Sequence, residues 1–239
     1  MLRFAHNDTC PETEMHLKVW RKMTLAEDNQ SRNPCGICTW QDVSKCADCP
    51  IGDTLNCHFN WSDLLYFLAG FLPPAIAVIA GMIRGGFGWY LLGWVGYIMF
   101  FFFVWEARIL CSHCPYWAED GRVLHCLACY GVIKIWRYHP EPMSTSEKVQ
   151  FLVGAGIIAL YPFPFLIIGR QYVLALIALA GIVSFAFSLK KHVCTRCVNF
   201  SCPANGVPKE IIDAYLRRNP VMRRAWEESG YQLSQQPGG

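Results

Sequence analysis

Four long apolar segments, residues 64–83, 87–110, 151–168 and 172–189, restrict this chain to folds that a lipid bilayer permits. Each has the roughly 18–24 residues that a helix needs to cross a hydrocarbon core of about 30 Å. Helices at the surface of water-soluble proteins keep a polar stripe, and residues 97–105, YIMFFFFVW, have none. The links Arg84, Gly85, Gly86 and Gly169, Arg170, Gln171 are too short for anything but tight turns. The expected fold is an all-α membrane protein with four transmembrane helices in two hairpins, residues 62–110 and 150–189. The polar segments 1–61, 111–149 and 190–239 flank and join the hairpins. An even number of crossings separates these segments, so all three lie on one face of the membrane.

Charge sets the expected orientation. Of the 21 Lys and Arg residues, only Arg84 and Arg170 sit at the short turns, and the rest lie on the opposite face. The positive-inside rule places that face, with both termini, in the cytoplasm of the inner membrane. No apolar stretch occurs near the start, so no cleavable signal peptide is expected. The glycosylation-like triplets beginning at Asn7, Asn60 and Asn199 would be unused on that face.

The three polar segments hold all 13 cysteines. Cytoplasmic thiols are kept reduced, so closely spaced pairs read as metal ligands before disulfides. Three groups emerge. The first is Cys35, Cys38, Cys46 and Cys49; the second is Cys111, Cys114, Cys126 and Cys129; the third is Cys194, Cys197 and Cys202. A C-x-x-C turn aims two sulfurs at one point, and two such turns supply the four thiolates that zinc or an iron–sulfur cluster takes. The third group is one ligand short. Cys57, Cys10, His192 or His58 are available to complete it, as are a bound substrate or an open iron site, and Cys57 is also near enough in sequence to belong with the first group or to be a spare thiol.

Proline weighs toward iron. Cys10, Cys49, Cys114 and Cys202 each precede a proline, where fewer than one such step is expected by chance among 13 cysteines and 14 prolines in 239 residues. Cys-Pro closes the common ferredoxin ligand run. Zinc ribbons use the same pairs, usually with a wider gap between them. The expected cofactors are therefore two to three iron–sulfur clusters of the 4Fe–4S type, with zinc as the alternative.

The seven histidines lie outside the apolar segments, which argues against a haem held between facing helices. His113 and His125, beside ligand cysteines, are either tuning groups for sulfur or ordinary loop residues. Glu106 and Arg108, at the cytoplasmic end of the second segment, either pair or snorkel to headgroups at the interface or form a quinone headgroup or proton site close to the metal. Proline pairs at Pro73, Pro74 and at Pro162, Pro164 should kink the first and third helices. Ser144 and Glu147 have capping-box spacing for the start of the third.

Residues 1–30 look helix-prone, with a basic, aromatic face at residues 18–22. Residues 31–60 hold too few apolar residues for a core of their own, so the cysteines should organise them. Residues 207–236 read as an amphipathic helix broken near Pro220, whose Arg217, Arg218, Arg223 and Arg224 suit anionic lipid or a protein partner. The last residues read as disordered.

The layout resembles the membrane polyferredoxins that accompany periplasmic nitrate reductase and nitrous oxide reductase. Cys111, Cys114 and Pro115 after the second helix, and Cys194 to Pro203 after the fourth, occupy the places of that family's Cys-Pro motifs. The family spaces its membrane-proximal pair one residue wider and adds a ferredoxin run that this chain lacks. The resemblance implies quinol electrons passed onward through cytoplasmic clusters.

No catalytic acid–base set, phosphate loop or nucleophile motif is present, and nothing points to nucleic acid. The expected function is a membrane iron–sulfur protein that relays electrons between a cytoplasmic oxidoreductase and the quinone pool or a membrane partner. Such a chain is at most one subunit of an oxidoreductase. The alternative is a zinc-stabilised membrane adaptor binding a cytoplasmic protein, and a lesser one is a metal-trafficking or thiol-redox protein.

Overall fold

The computed structural model describes residues 37–40, 46, 48–118, 122–126 and 129–234. The helix-prone lead, Cys10, Cys35 and the last five residues lie outside this set. Among the described residues four helical spans are long and apolar enough to cross a membrane, Trp61–Arg84, Tyr90–His113, Thr145–Ile168 and Tyr172–Val193. They form the two hairpins expected of a multi-pass membrane protein. No strand occurs among the described residues beyond one isolated bridge, Val123 to Ile133.

The first span is a single helix, α1 (Trp61–Arg84), whose first turn is capped by the Asn60 side chain accepting from the Ser62 amide. It runs helically through Pro73 and Pro74. The second starts as α2 (Tyr90–Phe100), passes through a π-helical turn at Phe101–Trp105, and resumes as the single turn α3 (Glu106–Ile109). The third opens on the Ser144–Glu147 capping box as α4 (Thr145–Leu160) and restarts at Pro162 as α5 (Pro162–Ile168). The proline there has no amide to continue the ladder. The fourth is α6 (Tyr172–Ser188), which ends in a second π turn, Leu189–Val193. Both spans that lead into cysteine motifs after a membrane crossing therefore carry a π turn near their exit.

Small residues bring the helices together, as is usual where lipid removes the hydrophobic drive between helices. Gly181 of α6 sits on Pro74 of α1, Gly70 of α1 lies under the Phe185 ring, and Gly154 of α4 lies under the Phe101 ring. Trp94 Nε1 donates to the Ile158 carbonyl at 2.9 Å, tying the second span to the third. Val78, Met82, Leu166 and Ala178 are buried between the spans. Outward side chains such as Ile76, Leu176 and Phe187 are exposed by 61%, 66% and 69%. So large an apolar belt, on helices of this length and composition, suits a lipid surround.

On one face of the bundle the polar segments fold together. Ile37, Ile51 and Leu55 share one apolar core with Trp117, Leu124, Tyr138, Val198 and Phe200. The shortage of apolar residues in 31–60 is met by borrowing a core from the other segments. The tail contributes α7 (Lys209–Arg218) and α8 (Pro220–Glu228), broken at Asn219. Their apolar face is spent on this cap, since Tyr215, Leu216, Met222 and Trp226 are buried in it. Of the four arginines offered to lipid or a partner, Arg217 donates to the Ser234 carbonyl and Arg223 pairs with Glu227, while Arg218 and Arg224 are exposed.

Asp213 fixes the end of the tail. It accepts from Lys209 Nζ at 2.9 Å, the Tyr231 hydroxyl at 2.8 Å and the Ser234 amide at 2.9 Å. Burial pushes its carboxyl up, but these donors outweigh that effect and bring it down to about 2.

Candidate metal sites

Cys38, Cys46, Cys49 and Cys57 line one cavity of about 370 Å³ in the cap. Successive turns shape its floor, with the Cys49 amide donating to the Cys46 carbonyl and the Gly52 amide to the Cys49 carbonyl, both at 3.0 Å. Cys57 is delivered by a long-range link, in which the Asn56 amide donates to the Arg196 carbonyl at 2.8 Å. Cys38 is held by Asn219, from the break between α7 and α8. His58 Nε2 stands 3.5 Å from Cys46 Sγ. Burial pushes the Cys57 thiol up to about 12, and the neighbouring Cys38, Cys46 and Cys49 add to the shift. Cys57 thus keeps company with the first group.

A second cavity, of about 380 Å³, is lined by Cys111, Cys114, Cys126, Cys129, Cys194, Cys197 and Cys202 together. It extends down between the helices to Pro74, Trp94 and Phe185. Two bends bring its cysteines in. A hairpin-like loop, closed by the Leu124 amide on the Val132 carbonyl at 2.8 Å, carries Cys126 and Cys129. Gly131 closes it at φ +86°, a left-handed conformation that a side chain would strain. The other bend follows the second π turn, where the Cys194 amide reaches back to the Leu189 carbonyl and the Gly206 amide to the Cys194 carbonyl at 2.9 Å. Asn199 Nδ2 donates to the Leu110 carbonyl at 3.2 Å, clamping the third segment to the second.

Inside this cavity the second and third sequence groups lie side by side. Cys111 and Cys129 converge on Glu106, with the donor atoms of all three within 4.8 Å of one another. Cys114 lies within electrostatic reach of Cys126, Cys197 and Cys202. Burial, then Cys126 and Cys197, pushes its thiol well up. Burial likewise outweighs two backbone hydrogen bonds at Cys202, leaving that thiol at about 11. The incomplete third group therefore finds its neighbours in the second.

Other residues singled out in the sequence have different surroundings. Glu106 is buried, whereas Arg108 is exposed with its guanidinium 5.5 Å from the centre of the Trp136 ring. Two positions apart on a helix, they face different ways, and no ion pair joins them among the described residues. His113 Nδ1 lies 2.7 Å from the Glu141 carbonyl and Nε2 lies 3.5 Å from Glu147, so this ring docks the loop onto the start of α4. His125 packs near the Tyr130 ring and His192 near the Tyr66 ring. Asn219, which sequence reasoning missed, has one faint signal, an asparagine directly before the proline that breaks the tail helix.

No family model matches the chain, and neither curated proteins nor solved structures gave a match.

Proposed function

We propose that this protein is an inner-membrane iron–sulfur protein, its cysteine-bearing cap in the cytoplasm, that relays electrons between a cytoplasmic oxidoreductase and the quinone pool or a membrane partner. The observation that carries this reading is the convergence of 11 cysteines from three distant segments on two adjoining cavities. None of the described cysteines forms a disulfide. Thiols gathered from distant segments into partly or fully buried sets of four or more fit metal better than they fit a redox pair.

Cys38, Cys46, Cys49 and Cys57 are the ligands assigned to one centre. Cys114, Cys126, Cys197 and Cys202, with Cys194 beside them, are assigned to another. Iron–sulfur clusters, when bound, supply one-electron steps. The chain's own residues orient and shield the ligands. Asn219 Nδ2 donates to Cys38 Sγ at 3.3 Å, a bond that favours the thiolate and tunes the centre behind it. Asn56, His58 and Phe59 line both cavities, so the two cysteine sets share a wall. The apolar extension of the second cavity to mid-bundle supports exchange with a lipid-soluble carrier.

Anaerobic purification in detergent, followed by assay of iron, acid-labile sulfide and zinc, tests this reading. Brown protein with iron and sulfide in near-equal amounts is expected. Colourless protein with stoichiometric zinc and no sulfide would overturn it in favour of a zinc-stabilised adaptor.

A further inference from the structure

We propose that Glu106, Cys111 and Cys129 form a separate mixed-donor site for a single divalent transition metal of the zinc class, distinct from the sites built of cysteine alone.

The first support is geometric. The carboxylate and the two sulfurs lie within 4.8 Å of one another, and the three residues are 5%, 6% and 4% exposed. With Zn–S bonds of about 2.3 Å, two sulfurs on one tetrahedral ion stand roughly 3.8 Å apart. A contraction of about 1 Å therefore closes the set on an ion. Neither Cys114 nor Cys126 belongs to this group among the described residues.

The second support is an orphaned atom. Glu106 is in hydrogen-bond contact with Cys129, but its Oε2 has no partner although it is fully buried. A buried carboxyl oxygen without a partner is uncommon, and native proteins pair such groups, keep them protonated or use them on metals. The basic residue two positions on, Arg108, is turned outward over Trp136 and cannot serve. A cation between the carboxylate and the two sulfurs satisfies Oε2 and both thiols at once.

Local structure explains how Glu106 arrives there. It is the first residue after the π turn, its amide donating to the Phe101 carbonyl five positions back. A π turn shifts the phase of everything that follows it, and such turns cluster at functional sites. Here the shift coincides with an inward Glu106 and an outward Arg108.

The donor set selects the ion. Two thiolates and one carboxylate suit a borderline-soft divalent ion, whereas clusters are held mainly by thiolates. Three protein donors leave a tetrahedral ion one position short, the pattern of zinc sites that accept an exogenous ligand. All three donors line the second cavity, whose remaining wall includes Val78, Trp94, Phe101 and Phe185. That position is therefore open to a small donor molecule from the cavity.

The test uses the purified full chain in detergent, loaded with cobalt in place of zinc. Wild type should show thiolate-to-cobalt charge transfer and the strong visible bands of a four-coordinate ion, and these should shift when imidazole is added. Glu106→Gln, which keeps the shape of the side chain, should weaken cobalt binding at least tenfold and shift the bands. Cys111→Ser should abolish them, and neither variant should change iron or sulfide content. An unchanged cobalt spectrum in Glu106→Gln overturns the proposal, as does parallel loss of iron and sulfide in Cys111→Ser. If wild type lacks iron and sulfide, the electron-relay reading fails while the cobalt result still decides this one.

Discussion

Asn219 holds Cys38 at both ends, its Oδ1 accepting from the Cys38 amide at 2.7 Å and its Nδ2 donating to the Cys38 sulfur at 3.3 Å. The asparagine is wholly buried, and the two residues stand 181 positions apart. Its Nδ2 also donates to the Tyr215 carbonyl at 2.7 Å, so one amide side chain ends α7 and positions a candidate metal ligand.

Asn219→Ala should therefore act on both. It leaves the partly buried Cys38 amide without its partner, at a cost of about 1 kcal/mol. The thermal transition of the cap, followed by tryptophan fluorescence, should fall. Metal bound per chain should drop by the share of the first cavity while the second keeps its own. Unchanged metal content would separate Asn219 from the site.

The Asp213 carboxylate predicts a pH signature. Its ordinary value is near 3.9, and in the fold it sits at about 2. A lowered value means stability that is fully present above about pH 4 and is lost as pH falls towards 2. Asp213→Asn should thus be less stable than wild type at pH 7, by about 2 kcal/mol. The gap between the two should narrow as the pH falls below 4. A gap independent of pH in urea titrations would contradict this account.

Packing between the spans gives a paired experiment. A Cβ on Gly181 would stand 2.9 Å from the Pro74 side chain, whereas one on Gly156 meets nothing within 4 Å. Gly181→Val should cost roughly 1–3 kcal/mol through overpacking. Gly156→Val should be close to neutral. Midpoints of thermal unfolding in detergent make the comparison, and equal midpoints would refute the contact.

Orientation is open to a direct readout. A fluorescent protein fused after Gly239 should fluoresce, and alkaline phosphatase at the same point should be inactive. The opposite pattern would put the cap outside the cytoplasm and return the cysteines to disulfide chemistry.

The four spans, the two hairpin turns and the Ser144–Glu147 cap were legible because each depends on a short run of neighbours. The single-face placement of the cysteines was equally legible, since it follows from counting crossings. The break at Pro220 was visible for the same local reason. The destination of the tail was not, because an amphipathic face reads the same whether it meets headgroups or a protein core. In the tail, Tyr215, Leu216, Met222 and Trp226 close the cap, while Arg218 and Arg224 stay exposed.

The amino-acid order alone determined how many times the chain crosses the bilayer and which segments share a face, because hydropathy and crossing parity are properties of the chain itself. Only the tertiary structure decided which sulfurs meet. Spacing proposes C-x-x-C partners within one segment, and the shared core adds Cys57 to the cavity of Cys38, Cys46 and Cys49 and sets Cys194, Cys197 and Cys202 in the cavity of the second group. It also brings Cys111 and Cys129 to Glu106, a carboxylate that no cysteine motif contains. Ligand geometry is a contact between distant segments, and such contacts are set by the packing of Ile37, Trp117, Val198 and Tyr215 into one core.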